Sequence, residues 1–138
     1  EFRRVLFRSR ALKSTVVIEG GEAAGTGIIV DNDGHVVTNY HVVQGQNTLK
    51  VILKDGTASR APVLGTDPSS DLAVLRTSLP KEVLFPATLG DSSVMRPGDA
   101  VFAIGDPYSQ PFTVTSGIIS ATQRTTQSSF TTLILVAL

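Results

Sequence analysis

The chain has 138 residues, a length that fits one domain whose core removes about two-thirds of the unfolded surface from water. Twelve basic and twelve acidic residues leave a formal charge of zero, so net charge does not favour nucleic acid, an anionic membrane or a highly charged substrate. The absence of cysteine excludes disulfides and thiolate metal sites, and only two histidines are present. We therefore expect no cofactor and no metal.

The two ends of the chain read differently from its middle. The start, "EFRRVLFRS", has three arginines and no clear apolar period, and Leu-Phe-Arg-Ser resembles a translated sequencing adapter. We set residues 1–10 aside as foreign and treat 1–13 as a non-native or disordered N-terminus. Residues 125–138 carry no charge and finish on the apolar run "LILVAL", which we interpret as an aberrant or truncated tail.

Between the ends, short β-prone runs alternate with turn residues. Strands are predicted at "STVVIEG" and "GTGIIV", and "DNDG" predicts a hairpin turn before "HVVTN", because Asn, Asp and Gly tolerate positive φ. Two further strands flank "KDGT", "TDPSSD" predicts a turn, and "DLAVLRT" predicts a buried strand. After a connector rich in Pro, Gly and Asp, "AVFAIGDP" and "FTVTSGIISATQR" predict two more strands. Apolar residues hold no 3.6-residue period over three turns, so the pattern favours an all-β barrel or sandwich over long helices.

His41 is the first candidate for a catalytic residue. It follows "VVTN", where Thr38 and Asn39 can cap a short helical turn, so we expect the ring at a corner between strand and helix. An imidazole there could accept a proton at neutral pH and return it later. The alternative is a core histidine with both ring nitrogens satisfied, and the residue pattern alone favours neither.

Asp71 is the second candidate, because it directly precedes the apolar run Leu72–Leu75. A carboxylate that enters a core there is partly desolvated and needs a partner. A neutral imidazole that donates Nδ1–H would fit, and the carboxylate would then fix the tautomer of His41. The alternative is a turn cap, which spacing alone slightly favours and which explains Asp67 better.

The order of these two residues matches the chain order His, Asp, Ser of one class of serine protease. Several longer blocks then carry a specific resemblance: "GTGIIVDNDGHVVTNYHVV", "KDGT", "VLGTDPSSDLAVLR", "LGDSSVMRPGD", "VFAIGDP" and "TVTSGIISA". In order and spacing they resemble the protease domain of the HtrA (Deg, protease Do-like) family over residues 14–124. The resemblance implies that His41 is the general base and that Asp71 orients it.

The resemblance also implies the chymotrypsin-like fold, in which two six-stranded β-barrels enclose the active site between them. On that pattern, residues 14–88 form a nearly complete first barrel and 89–99 connect the barrels. Residues 100–124 then begin a truncated second barrel.

The family's nucleophilic serine lies in a Gly-Asn-Ser-Gly-Gly loop, and no such sequence occurs among these 138 residues. "GDSS", Gly90 to Ser93, is followed by valine and lacks the two glycines that come after the serine of that loop, so it is interpreted as a turn in the connector. Ser116, Ser128 and Ser129 fit the pattern no better. We therefore expect this chain, as written, to be inactive.

Four other residues are predicted to have roles other than catalysis. His35 is predicted to be a solvent-facing strand residue, and Tyr40 to pack against the barrel. In the loop "GDPYSQPFTV", which lies near the substrate cleft in family members, Tyr108 and Phe112 are candidates for substrate binding.

The resemblance implies an ATP-independent serine endopeptidase that degrades unfolded or misfolded polypeptides, needs no metal and does not bind nucleic acid. The alternative is a non-catalytic homologue, a pseudoprotease or holdase that binds unfolded peptides. A third possibility is an artefactual chain that does not fold, because a half-built second barrel leaves strand edges open. Family members usually form homotrimers and carry PDZ domains, and they work in the periplasm, at the cell envelope or in an organelle lumen such as that of the chloroplast.

Overall fold

The computed structural model describes residues 2–21, 23–105 and 112–121. Within them, the helices and strands in chain order are α1 (Phe2–Ser14), β1 (Thr15–Gly20), β2 (Ala23–Ile29), β3 (His35–Thr38), α2 (Tyr40–Val43), β4 (Thr48–Ile52), β5 (Ala58–Asp67), β6 (Leu72–Arg76), β7 (Ala100–Gly105) and β8 (Thr113–Ile118). Short 3₁₀ turns lie at Lys81–Val83 and Ser92–Val94.

Six strands close into a barrel in the order β1-β2-β3-β6-β5-β4, and every neighbouring pair is antiparallel. In the described residues, β7 and β8 form a separate two-stranded antiparallel sheet. The closed six-stranded barrel confirms the all-β prediction and the first barrel of the chymotrypsin-like fold. None of the helices in this part of the chain is long and apolar enough to cross a membrane.

The core fills the barrel because side chains alternate between its two faces along each strand. In β4, Leu49 and Val51 are buried and Lys50 between them is exposed. In β6, Ala73 and Leu75 point inward, whereas Leu72 is 38% exposed. We predicted a strand buried throughout in this segment, and the alternation corrects that prediction: a strand in a single closed barrel has only one face toward the core.

The turn between β2 and β3 has the predicted hairpin form. The Asp31 side chain accepts hydrogen bonds from the backbone N–H groups of Asp33 and His35, at 2.9 and 3.1 Å. Gly34 has a φ of +92°, a conformation that glycine adopts without the clash that a Cβ causes. The turn therefore reverses the chain and fixes the start of β3.

The helix α1 precedes the barrel and was not expected from the sequence, because residues 1–10 lack a clear apolar period. Its last turn contacts β1, where the hydroxyl of Thr15 donates to the carbonyl of Ala11 at 2.7 Å. Ala11 is buried, while Val5 and Leu6 stay exposed, so the helix has no continuous apolar face for a sequence pattern to reveal. The foreign origin of residues 1–10 stays a prediction.

Replacement of Gly27 by alanine tests the packing of the barrel. A Cβ at Gly27 would lie 2.6 Å from Ile18 Cδ1 and 2.7 Å from Val36 Cγ1, so the core must shift to admit it. We expect Gly27→Ala to lower the free energy of unfolding by about 1–3 kcal/mol, measured by urea denaturation. The control is Gly65→Ala, in β5, where nothing lies within 4 Å of the added Cβ. Equal losses from the two substitutions would contradict this account of the core.

Candidate active site

The pairing of β3 with β6 brings the two candidate catalytic residues together. The strands are antiparallel, with Thr38 opposite Ala73 and His35 opposite Arg76. The residues that follow β3 and the residue that precedes β6 therefore lie at the same end of the barrel. His41 and Asp71, thirty positions apart in the chain, meet at this end.

His41 lies in α2, a single helical turn at the corner between strand and helix, as predicted. Asn39 occupies the N-cap position, but its side chain makes no capping hydrogen bond to the helix. This corrects the capping role expected for Asn39; the Thr38 hydroxyl is directed elsewhere too, to the carbonyl of Thr26 at 2.7 Å. Val42 and Val43 anchor the turn in the core, so the ring projects from a rigid element.

Asp71 is held in an unusual backbone conformation. Its φ is +56°, in the left-handed region, which costs about 1–3 kcal/mol for most residues but is more accessible to Asp and Asn. Its carbonyl accepts hydrogen bonds from the backbone N–H of Tyr40 at 3.1 Å and from Nδ2 of Asn39 at 3.0 Å. The backbone of Asp71 is thus bound to the segment that carries His41.

The carboxylate of Asp71 binds the histidine at two points. Oδ1 accepts the backbone N–H of His41 at 2.9 Å, and Oδ2 lies 2.7 Å from His41 Nδ1. An ionised carboxylate only accepts hydrogen bonds, so Nδ1 carries the proton and the ring's lone pair is on Nε2. The side chains of His41 and Asp71 are 38% and 19% exposed, so the imidazole is accessible while the carboxylate beside it is mostly covered. This arrangement can accept a proton at Nε2 and stabilise the imidazolium that forms.

A second pair has nearly the same local geometry. Asp31 Oδ2 lies 2.6 Å from His35 Nδ1, and Asp31 Oδ1 accepts the backbone N–H of His35 at 3.1 Å. The side chain of His35 is 31% exposed, so the predicted strand residue faces solvent in part and is also paired with Asp31. The pair was not predicted from the sequence, although the four-residue spacing across the "DNDG" turn was the available signal.

Asp31, Asp33 and His35 have ligand atoms within 4.8 Å of one another, which raises the question of a metal site. The hydrogen bonds of Asp31 argue against one. Oδ1 already accepts two backbone N–H groups and Oδ2 accepts Nδ1–H of His35, so the carboxylate is committed to the turn. We interpret the cluster as the structure of the hairpin.

Other residues singled out in the sequence have structural roles. Asp67 accepts hydrogen bonds from the hydroxyls of Ser69 and Ser70, which lower its pKa, and this confirms the turn interpretation. The hydroxyl of Ser93 donates to Asp91 Oδ1 at 2.6 Å, so "GDSS" is a turn rather than a nucleophile loop. Tyr40 packs against the barrel core as predicted.

The remaining candidates lie in or beside the second sheet. Ser116 is an exposed residue of β8, and Phe112 precedes that strand with a φ of +60°. Tyr108, Ser128 and Ser129 lie outside the described residues.

Comparisons with known proteins identify the family of the chain. Residues 25–136 match the family described as the trypsin-like peptidase domain. The chain is 43% identical over 115 residues to the chloroplast Protease Do-like 1 of Arabidopsis thaliana, covering 83% of this chain and 26% of that protein. It is 43% identical over 117 residues to a probable periplasmic DegP-like serine endoprotease of Brucella suis, covering 85% of this chain and 23% of that protein. A structure of the HtrA-type protease AlgW with a tripeptide has a TM-score of 0.81 and 37% identity, covering 91% of this chain and 43% of that one.

The chain therefore belongs to the trypsin-like peptidases, and its closed barrel is the first barrel of the chymotrypsin-like fold. Within that class, its relatives make it a member of the HtrA/Deg serine endopeptidases. The chain spans about a quarter of the length of these two curated relatives.

Substitution of Asp31 tests the contribution of the Asp31–His35 pair without changing the Asp71–His41 pair. The backbone N–H of His35 holds the pKa of Asp31 below its ordinary value of 3.8. The stability that this carboxylate contributes is present above pH 3.8 and is lost as the pH falls through the lowered folded pKa. We expect Asp31→Asn to make the fall in unfolding free energy on acidification shallower, measured by urea denaturation at pH 7, 4 and 3.

The control is Asn32→Ala, which alters the same turn without removing a carboxylate. It should leave the pH dependence of the wild type in place. Identical pH profiles for Asp31→Asn and the wild type would rule out the stabilising role of the Asp31 carboxylate.

Proposed function

We propose that this chain provides the general base and its orienting carboxylate for a serine endopeptidase that cleaves unfolded or misfolded polypeptides without ATP. His41 is the base, and Asp71 holds it in the tautomer with Nε2 free of a proton. The observation that carries the proposal is that the carboxylate of Asp71 accepts both the backbone N–H and the Nδ1–H of His41. The tripeptide in the AlgW structure supports a polypeptide as the substrate.

The proposed reaction proceeds through an acyl-enzyme. The serine oxygen attacks the scissile carbonyl while Nε2 of His41 accepts its proton, and the imidazolium then protonates the amine as the C–N bond breaks. Water next attacks the ester carbonyl and gives a proton to His41. The ester C–O bond then breaks, the imidazolium returns the proton to the serine oxygen, and the new carboxylic acid leaves. Asp71 stays ionised throughout and stabilises the imidazolium at each transfer.

Substitution of the two residues in the protein of full natural length tests this mechanism. We expect Asp71→Asn to lower kcat about 10⁴-fold, because an amide permits the wrong histidine tautomer, and His41→Ala to lower it at least as far. Cleavage of a fluorescently labelled denatured protein, without ATP and with a metal chelator present, is the measurement. The matched control is Asp31→Asn, which disrupts the similar pair in the turn and should leave cleavage unchanged. Comparable losses from the Asp31 and Asp71 substitutions would exclude the assigned roles.

We further propose that the 138-residue chain alone is not a protease, because it contains no Gly-Asn-Ser-Gly-Gly sequence. A fluorophosphonate probe reacts with an activated serine, so it should label the full-length protein in a His41-dependent manner and leave this chain unlabelled. A labelled serine mapped within residues 1–138 would contradict the prediction. A full-length protein that binds denatured protein saturably, without labelling or cleavage, would favour the non-catalytic alternative.

A further inference from the structure

Asn39 has a buried side chain whose hydrogen bond the local helix does not explain. The residue is 6% exposed and lies at the N-cap position of α2, where an Asn side chain usually accepts a backbone N–H of the helix. Instead, its Nδ2 donates to the carbonyl of Asp71 at 3.0 Å, across thirty-two positions of sequence. The side chain is therefore directed away from its own helix and toward the orienting carboxylate residue.

The hydrogen bond from Asn39 is made to a residue, Asp71, whose backbone conformation is unfavourable. Asp71 has a φ of +56°, and this conformation persists only if the surrounding structure holds it. The N–H of Tyr40 provides one hydrogen bond to the carbonyl, at 3.1 Å, and the N–H of Asp71 itself donates to the carbonyl of Pro68 at 3.3 Å. Asn39 Nδ2 is a second donor to the Asp71 carbonyl and restrains rotation of that peptide. Because the carboxylate leaves the same Cα, the direction in which it points depends on this restraint.

We propose that Asn39 is a positioning residue for the catalytic pair, an inference that rests on the proposed function. Its amide fixes the left-handed conformation of Asp71, and the fixed carboxylate then reaches both N–H groups of His41. The amide of Asn39 does not touch the reacting atoms. Its effect is exerted through the tautomer and orientation of the His41 ring.

A pair of shape-matched substitutions tests the role in the 138-residue chain by NMR. Asn39→Leu removes the donor to Asp71, whereas Thr38→Val removes the neighbouring buried hydrogen bond, from the Thr38 hydroxyl to the carbonyl of Thr26. Both replace a buried polar side chain on adjacent residues, so a general loss of stability should be similar. The readouts are the ¹⁵N shifts of the His41 ring, which report the tautomer, and the low-field Nδ1–H proton of its bond to Asp71.

We expect the wild type and Thr38→Val to show a single tautomer with Nδ1 protonated and a resolved low-field proton. Asn39→Leu should show a mixture of tautomers and lose the low-field signal through exchange with water. An unchanged His41 spectrum in Asn39→Leu would overturn the proposal. Equal changes in the two variants would overturn it as well, since they would indicate only a loosened barrel.

If Asn39→Leu does not fold, Asn39→Asp serves in its place. It keeps the shape of the side chain but puts a carboxylate oxygen, which is charged and donates no hydrogen bond when ionised, where the donor was. We expect the same loss of the low-field signal, and its retention would overturn the proposal.

In the protein of full natural length, we expect Asn39→Leu to lower kcat about tenfold with little change in KM, since a small misplacement of a catalytic group acts on the chemical step. Thr38→Val should retain activity. Failure of the proposed function would be seen separately, as a wild type that does not cleave or label, whereas the NMR result depends only on the His41–Asp71 pair.

Discussion

The site depends on the antiparallel pairing of β3 with β6. This pairing fixes the register in which Thr38 faces Ala73, so Asn39, which follows β3, and Asp71, which precedes β6, come into contact where the strands end. Two hydrogen bonds to the carbonyl of Asp71 continue the contact beyond the sheet. The His–Asp pair is therefore an extension of the strand ladder, and its geometry is as fixed as the ladder itself.

Packing around α2 protects that register. Val42 lies against Gly25 of β2, where an added Cβ would come within 2.4 Å of a valine methyl, and Val43 belongs to the barrel core. The helical turn therefore cannot rotate without either opening a cavity or forcing a clash. His41 lies between partly buried Tyr40 and buried Val42 and is held by the same packing, which suits a base whose position must hold within about half an ångström.

Much of this architecture could be predicted from the sequence, because the information was local. Alternating apolar residues and the turns "DNDG" and "KDGT" specify the barrel strands, and the long family blocks that contain His41 and Asp71 imply the roles proposed for them. Two features could not be predicted: the left-handed conformation of Asp71 and the hydrogen bond that Asn39 donates to it. Both depend on the register in which β3 pairs with β6, two strands about thirty residues apart in the chain. Propensity rules assign Asn39 to a helix cap, and the tertiary contact with Asp71 overrides that preference.

The two His–Asp pairs show why local geometry alone does not define a catalytic dyad. Asp31 and His35 are four residues apart, so the turn that contains them forms their hydrogen bonds within itself. Asp71 and His41 meet only when β3 has paired with β6, because His41 lies in the turn after β3 and Asp71 directly precedes β6. Formation of the second pair is thus coupled to global folding, whereas the first pair needs only a hairpin. A protease that carries its base on the non-local pair has that base oriented only in the folded state, since an unfolded chain cannot hold Asp71 beside His41.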